Sequence, residues 1–423
     1  MTRSPNAEDF LLAAKRSEIN SLNHLMLSSE MVITISDLIH ELQKERGLSN
    51  SILVSEGKRL VTEHSEAITV TDTALLNFQN TLNSLDLEDC GSSTTRLYNS
   101  LAYALHALEG LPTIRASIAS GRLTAPDNTK FFNHLIAGLL AVIFEAADVS
   151  NDPDITRLLV ALFNFLQGKE YAGQERAWGV IGFTTGAFSN NTREQIKALQ
   201  DAQQHCFEIF SEFSTILPAA KLRQLEAEEA AFELQRMRQL IARFRSGDSL
   251  PTTIGEVWYQ AATARIDSML EIAYQITNEL AQLCQSKVAR AEDELQQHQE
   301  HLITLASYEE PPMSALTAMN KQGKDYTVNL SRGVHIKLAG SIYELVQRQS
   351  EHLRQVSEEL ENAKQTLNER KLIEKAKGIL MSTQNVSEED AYKQLRQAAM
   401  DRNKRIIDIA ENIISVASML KTS

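Results

Sequence analysis

The stretch from Ile336 to Thr383 reads as one uninterrupted helix and constrains the fold more than any other part of the sequence. Apolar residues recur there at three- and four-residue steps, and four of them are spaced seven apart: Val346, Leu353, Leu360 and Leu367. Such a repeat is typical of a coiled coil, so residues 336–367 are predicted to form a signalling helix that pairs with a second copy of the chain. The pattern alone leaves open a dimerising helix with no signalling role.

The remainder of the chain is also predicted to be helical. Only 8 Pro and 17 Gly occur in 423 residues, and no convincing run of alternating β-branched residues is present. Amphipathic segments are predicted at about 8–26, 29–56, 58–87, 93–121 and 127–148, and again at about 154–189, 193–215, 218–246 and 254–307. Short connections between such helices favour two consecutive up-and-down four-helix bundles, about 30–148 and 154–305, followed by a linker at 308–334.

Charge is unevenly distributed along the chain, whose net charge is −13. From Glu361 to Ser423 there are 11 Lys or Arg against 9 Asp or Glu, a net charge of +2, which leaves −15 for the rest. A polyanion such as RNA would be repelled by the larger part and tolerated only by the smaller one.

Cysteine usage and hydropathy restrict the class of protein further. Cys90, Cys206 and Cys284 are far apart and odd in number, so neither a disulfide framework nor a metal site is predicted. The longest apolar run, Leu135 to Phe144, is about half of what a bilayer crossing needs. With no signal-type apolar core near the N-terminus, we expect a cytoplasmic protein with no membrane contact.

Three arginines fall on apolar rows of predicted helices: Arg46 with Ile39 and Leu42, Arg176 with Ala172 and Phe183, and Arg236 with Phe232 and Leu240. Glu45-Arg46 and Glu175-Arg176 stand 130 residues apart, so the second bundle is predicted to be a degenerate copy of the first. A buried guanidinium keeps its charge and requires an anionic partner or full hydrogen bonding.

Two interpretations of these arginines remain open from the residues alone. In the structural one, Glu45, Glu175 or Glu233 neutralises an arginine of a neighbouring helix. In the functional one, a small anion is bound between the bundles, and Gly47 allows the backbone to approach closely. Arg236 in particular could belong to either arrangement.

The motifs Glu45-Arg-Gly-Leu-Ser49, Gln174-Glu-Arg-Ala177 and Trp258–Asp267 resemble the NIT domain, a nitrate- and nitrite-sensing module. The resemblance covers roughly residues 30 to 300. It implies paired four-helix bundles with nitrate or nitrite bound between them, and its motif arginines carry over to Arg46 and Arg176. Nitrate suits such a site because it is planar and accepts parallel hydrogen bonds from an arginine fork.

The C-terminal residues are predicted to form a small three-helix unit with basic side chains outside its core. Lys371, Lys377 and Arg396 are among these basic residues, which on charge alone could be a solvated surface. The stretch Glu369–Met381 with Ala391-Tyr392 and Leu395-Arg396 resembles an ANTAR domain over about residues 362–420. That resemblance implies binding to two-hairpin leader RNA and prevention of a terminator.

Single-stranded loop bases are the readable part of RNA, so cations and one aromatic residue are expected to contact them. The predicted RNA-binding residues are Lys375, Lys377, Gly378, Tyr392, Arg396 and Arg405. Lys377 and Arg396 would contact phosphate or bases, Gly378 would allow close approach, and Tyr392 would stack, although Tyr392 could equally pack into the core.

The sequence therefore predicts an all-α, one-component regulator and not an enzyme, with no cofactor beyond the signalling anion. No Ser-His-Asp or Cys-His set and no Gly-rich phosphate loop is apparent. The expected partners are nitrate or nitrite, leader mRNA hairpins and a second copy of the chain. The alternative is a ligand-gated helical scaffold whose C-terminal domain binds a protein partner rather than RNA.

Overall fold

The computed structural model describes residues 7–55, 57, 60–85, 95–244, 253–306, 336–384, 386, 388–402 and 404–421. Within those residues all regular elements are helices, which confirms the predicted all-α class. They are α1 Ala7–Val54, α2 Val61–Asn83, α3 Thr95–Glu109, α4 Leu111–Ala119, α5 Ala125–Val149, α6 Pro153–Thr185, α7 Asn190–Phe213, α8 Ile216–Glu226, α9 Glu229–Arg243, α10 Thr253–Ala306, α11 Ile336–Gln384, α12 Glu388–Arg402 and α13 Ile406–Lys421. The predicted linker at 308–334 and Cys90 lie outside the described residues.

The helices up to α10 form two related groups. In the first, α1 packs on α2 and α5, and α3 packs on α5; in the second, α6 packs on α7 and α10, and α8 and α9 pack on α10. α1 is continuous where the sequence pattern predicted two helices. The predicted break fell beside Ser29, whose hydroxyl instead donates to the Leu25 carbonyl over 2.8 Å without interrupting the helix.

A large hydrophobic core joins the two groups, and the second group also has a smaller separate cluster that contains Phe183, Met237 and Trp258. α6 is buried on nearly all sides, because it packs simultaneously against α5, α7 and α10. α5 is long and apolar enough to cross a membrane by length and composition, yet 67% of its most apolar window is buried inside the protein. Its hydropathy is therefore explained by its place in this core.

The outer halves of α1 and α10 extend the core beyond the bundles. Ile19 and Leu22 of α1 belong to the same buried cluster as Ala291 of α10. At this end Lys15 Nζ lies 2.5 Å from Glu294 Oε2. The C-terminal part of α10 is thus covered by the start of α1.

The C-terminal unit is built from the end of α11 with α12 and α13. Its small core contains Ala376, Ala391, Leu395 and Ile409. Leu367, the last residue of the predicted heptad seam, is only 2% exposed and packs into the core of the two helical groups. The prediction that it pairs with a second chain is therefore wrong for this residue, while the side chains of Val346 and Leu353 lie outside those described.

Candidate anion site and its connection to the C-terminal unit

Arg46 on α1 is completely buried and ion-paired. Its Nη1 donates to Glu170 Oε1 over 2.5 Å and to Asn133 Oδ1 over 2.6 Å, and its Nη2 donates to Glu170 Oε2 over 3.1 Å. Glu170 also accepts hydrogen bonds from the side-chain amides of Gln43 and Gln174, at 2.8 and 2.9 Å. A carboxylate does neutralise this arginine, although it is none of the three considered from the sequence.

Arg176 on α6 is buried as deeply but has no carboxylate among its hydrogen-bond partners in the described residues. Its Nη1 donates to Thr263 Oγ1 over 3.0 Å and its Nη2 to the carbonyl oxygen of Gln43 over 3.1 Å. The guanidinium lies over the Tyr259 ring, 5.6 Å from its centroid. Burial lowers the pKa of Arg176, and the nearby charge of Arg46 lowers it further. No carboxylate of the described residues therefore pairs directly with this arginine, and the charges of Asp267 and Glu170 act on it without a hydrogen bond.

The two arginines approach each other's helices at glycines. A Cβ added to Gly47, next to Arg46, would lie 2.7 Å from Arg176 Nη2. A Cβ added to Gly173 would lie 2.6 Å from Arg46 Nη2. Each guanidinium thus occupies the space that a side chain would take on the opposite helix.

Within the described residues, the buried Nε atoms of Arg46 and Arg176 have no hydrogen-bond acceptor. A buried charged donor without an acceptor is costly, and each of these groups can donate once more. Both guanidinium groups therefore keep the donor capacity that recognition of a small planar anion requires.

The glutamate before each arginine is fixed in the same way in both halves. Glu45 accepts from Arg115 Nε and Nη2 at 2.8 and 2.9 Å, and Glu175 accepts from Arg238 Nε and Nη2 at 2.7 and 2.6 Å. Burial alone would raise the pKa of Glu175, but the charge and hydrogen bonds of Arg238 outweigh it and the pKa falls. These glutamates bind peripheral arginines and do not neutralise the central pair.

Arg236 is not part of this site, so the prediction that it faces inward is wrong. Its side chain is 78% exposed and pairs with Glu233 at 3.3 Å, and Phe232 and Leu240 on the same row are also exposed. Four-residue spacing showed that these residues share a face but not which face is buried. The buried row of α9 contains Leu234, Met237 and Ile241. Arg238, one turn after Leu234, is the arginine that sequence reasoning missed.

The two halves differ at one decisive position. The 130-residue offset that relates Arg46 to Arg176 also relates His40 to Glu170. Where the first arginine has a carboxylate, the second therefore has an imidazole, whose Nδ1 lies 2.9 Å from Lys169 Nζ. Burial, followed by the charge of Lys169, lowers the pKa of His40 to about 2, so the ring is neutral.

The C-terminal unit is docked on the second bundle through charge pairs. Arg396 Nη1 lies 2.5 Å from Asp201 Oδ2, and Lys393 is paired with Glu194; both acids are on α7. Lys371 of α11 is paired with Asp148 of α5. Basic side chains that RNA phosphates would also attract thus pair with carboxylates of the same chain.

Arg370 adds an aromatic contact to this docked surface. Its guanidinium carbon lies 4.6 Å from the centroid of the Phe163 ring on α6. α6 also carries Arg176, so the docked surface and the anion site share a helix.

The predicted RNA-binding residues fall into three sets by exposure. Lys375, Gly378 and Arg405 are exposed, and Tyr392 and Arg396 are partly covered. Lys377 is only 4% exposed, so its predicted place outside the core is wrong: its Nζ pairs with Glu374 at 2.8 Å and lies 6.0 Å from the Tyr392 ring centroid.

Gly378 requires no close packing within the protein itself. Among the described atoms, none lies within 4 Å of a Cβ added there. Any need for glycine at this position would come from a partner molecule.

Hydrogen bonds connect the anion site to the docked surface. Glu175, the neighbour of Arg176, accepts from Gln200 Nε2 and Gln203 Nε2, each over 2.8 Å. Both glutamines are on α7, where Gln200 immediately precedes Asp201. Hydrogen bonds therefore join α6 beside Arg176 to α7, the helix that pairs with Arg396.

A family model described as nitrate and nitrite sensing, NIT, matches residues 37–281, which include every residue of the arginine site. The chain belongs to the NIT family. Its NIT region is followed by a match to the ANTAR domain at residues 361–414. The docked C-terminal unit is this ANTAR domain.

Two relatives match this chain along almost its whole length. The chain is 30% identical over 423 residues to a protein named nitrate regulatory protein from Klebsiella oxytoca, covering 99% of this chain and 98% of that one. A structure described as the NasR transcription antiterminator matches with a TM-score of 0.60 and 28% identity, covering 98% of this chain and all of the other. The similarity of this NIT protein to both extends across the sensor and the ANTAR domain.

Proposed function

We propose that this protein is a nitrate- or nitrite-responsive transcription antiterminator. Its signal ligand binds between Arg46 and Arg176, and binding frees the ANTAR domain to hold a two-hairpin leader RNA and prevent terminator formation. The observation that carries the proposal is the pair of buried guanidinium groups of which, in the described part of the chain, only that of Arg46 is hydrogen-bonded to a carboxylate. The family match and the antiterminator relative support the same ligand and output.

Nitrate fits the charge and the geometry of the site. Arg46 and Arg176 are buried cations, and among the described residues Glu170 is the only carboxylate hydrogen-bonded to either of them. A monovalent planar anion would supply the missing negative charge and accept from both Nε atoms at a modest desolvation cost. Gly47 serves by leaving room for Arg176.

The signal would reach the ANTAR domain through α6 and α7. An anion that draws Arg176 toward Arg46 moves α6, and Glu175 transmits the movement to Gln200 and Gln203. The charge pairs of Asp201 and Glu194 with the ANTAR domain then separate. Only a difference in anion affinity between the docked and released arrangements can drive this change.

In the released state the RNA face would comprise Lys375, Gly378, Tyr392, Arg396 and Arg405. Phosphates would replace the acidic groups of α7 on Arg396, and loop bases would stack on Tyr392. A net charge of +2 over residues 361–423 implies modest affinity for one loop, so we expect binding across two loops by a homodimer paired through the earlier heptads of α11. The protein would act in the cytoplasm, where leader RNA is transcribed.

In vitro transcription through a leader with two hairpins and a terminator tests the proposal with the full chain. We expect nitrate to increase readthrough with the wild-type protein and Arg176→Met to remove the response, because the variant lacks the uncompensated cation. Normal nitrate induction with Arg176→Met would contradict the proposed site.

The docked arrangement is tested with the double variant Glu194→Gln/Asp201→Asn. Loss of both charges should release the ANTAR domain and give readthrough without nitrate, while Glu212→Gln, an exposed change on the same helix, should leave the response unchanged. If the double variant still required nitrate as fully as the wild type, these charge pairs would not hold the domain inactive.

A further inference from the structure

A third buried cation lies beside the arginine pair. Lys169 on α6 is 1% exposed. Its Nζ donates to Gln43 Oε1 over 3.0 Å and lies 2.9 Å from His40 Nδ1. Both partners are neutral, so these hydrogen bonds satisfy the ammonium group without compensating its charge.

Gln43 joins Lys169 to both arginine half-sites. Its side-chain Nε2 donates to Glu170, the partner of Arg46, over 2.8 Å. Its backbone carbonyl accepts from Arg176 over 3.1 Å. Because one residue contacts all three, a change in the charge of Lys169 acts on the same site that receives the anion.

Charged and titratable groups face Lys169 from three helices: Asp37, His40 and Glu41 of α1, Glu170 and Arg176 of α6, and Asp267 of α10. Burial raises the pKa of Asp37 and of Glu41, which weakens both as counter-ions. Burial lowers the pKa of Lys169 to about 7, so its charge is balanced between two states near neutrality.

We propose that Lys169 is a positioning residue of the anion site and that nitrate binds together with a proton taken up on Lys169 Nζ. This inference rests on the proposed function, because it assumes that the anion occupies the site between the arginines. The bound anion favours the ammonium form, which then holds His40 and Gln43 in fixed orientations.

The sign of the pH dependence follows from this linkage. An added anion raises the pKa of Lys169 above its value in the free protein. Below the free-state pKa of about 7 both states are protonated, and the affinity does not change with pH. Between the free and bound pKa values only the complex carries the proton, so affinity falls by about tenfold per pH unit as pH rises. His40, with a pKa of about 2, contributes nothing in this range.

Calorimetry of nitrate binding to the full chain tests the inference. At about pH 7.5, comparison of HEPES with Tris at constant chloride gives the number of protons taken up per nitrate, since the buffers differ in ionisation enthalpy. We expect a large fraction of one proton for the wild type. Lys169→Met should remove the uptake and flatten the pH profile. Lys44→Met, an exposed change on α1, should keep both.

The outcomes separate this inference from the proposed function. Nitrate binding without proton uptake in the wild type, or with uptake unchanged in Lys169→Met, would overturn the role of Lys169 while leaving the sensor intact. Absence of nitrate binding altogether would instead overturn the proposed function. The wild-type proton number decides the question even if Lys169→Met does not fold.

Discussion

The surroundings of Arg46 and those of Arg176 are built in the same way but differ in charge. In the described residues a carboxylate pairs with Arg46, whereas the hydrogen-bond partners of Arg176 are neutral. In both, a glutamate precedes the arginine and binds a peripheral arginine, and the central guanidinium crosses to a glycine of the other helix. Arg46 then meets Glu170, whereas the corresponding position in the other half is His40. The repeated scaffold fixes where the arginines point, and the change from carboxylate to imidazole leaves a charge for a ligand to neutralise.

This difference separates the roles of the two arginines. Removing one member of a buried ion pair leaves the other member unpaired, whereas removing an uncompensated charge relieves the fold. Arg46 is therefore needed for stability and for binding, and Arg176 chiefly for binding.

The largest expected effect comes from replacing each arginine by methionine. Arg46→Met should lower the free energy of unfolding by about 3 kcal/mol, because Glu170 stays buried without its cation. Arg176→Met should change it little or increase it. Urea unfolding of the nitrate-free proteins measures both, and the double variant Arg46→Met/Glu170→Gln should recover most of the loss. Equal destabilisation by the two single variants would remove the distinction between the halves.

A second test gives Arg176 a carboxylate at the position that corresponds to Glu170 beside Arg46. His40→Glu places a carboxylate at the position equivalent to Glu170, within reach of the charges of Arg176 and Lys169. We expect nitrate affinity to fall by more than about tenfold, a loss of about 1.4 kcal/mol or more, and the nitrate-free protein to melt at a higher temperature. His40→Gln is the neutral control and should still bind nitrate. Unchanged affinity in His40→Glu would show that the imbalance of charge is not what attracts the anion.

The smallest expected effect is the difference in stability between Gly47→Ala and Gly173→Ala. Alanine gains about 1 kcal/mol of helix propensity at either position, so the difference between the variants is the informative quantity. Gly173→Ala should be the less stable by about 1 kcal/mol, because it displaces Arg46 from Glu170, whereas Arg176 can move away from Ala at position 47 by losing only neutral partners. Thermal unfolding with and without nitrate measures this, and equal stabilities would mean that the two guanidinium groups are held equally firmly.

Local patterns in the sequence were enough to predict the all-α fold and to single out Arg46 and Arg176. They failed for residues whose burial depends on packing against another helix. The row through Arg236 has the spacing of a buried face. In the structure the opposite face of α9 is the one that packs inward: Met237 is buried there, and the neighbouring Arg238 pairs with the buried Glu175. Residue spacing gives the relative phase of side chains on a helix, and only packing against another helix selects the buried side.

Contacts distant in sequence account for the other differences. Leu367 continues the heptad pattern perfectly but packs against the sensor bundles of the same chain. Lys377 is buried by neighbours in the docked domain, including the half-buried Tyr392. Neither the partner of Arg46 nor the pairing of Arg396 with Asp201 could be read from local periodicity, because each joins helices more than a hundred residues apart.

The central claim is that Arg176 carries a buried charge which an external oxyanion neutralises. Titration calorimetry of nitrate into the full-length wild-type protein and into Arg176→Met tests it most directly. The account predicts saturable binding of one nitrate per chain in the wild type and no detectable binding in the variant, with both proteins folded. Binding of nitrate to Arg176→Met with wild-type affinity would contradict it.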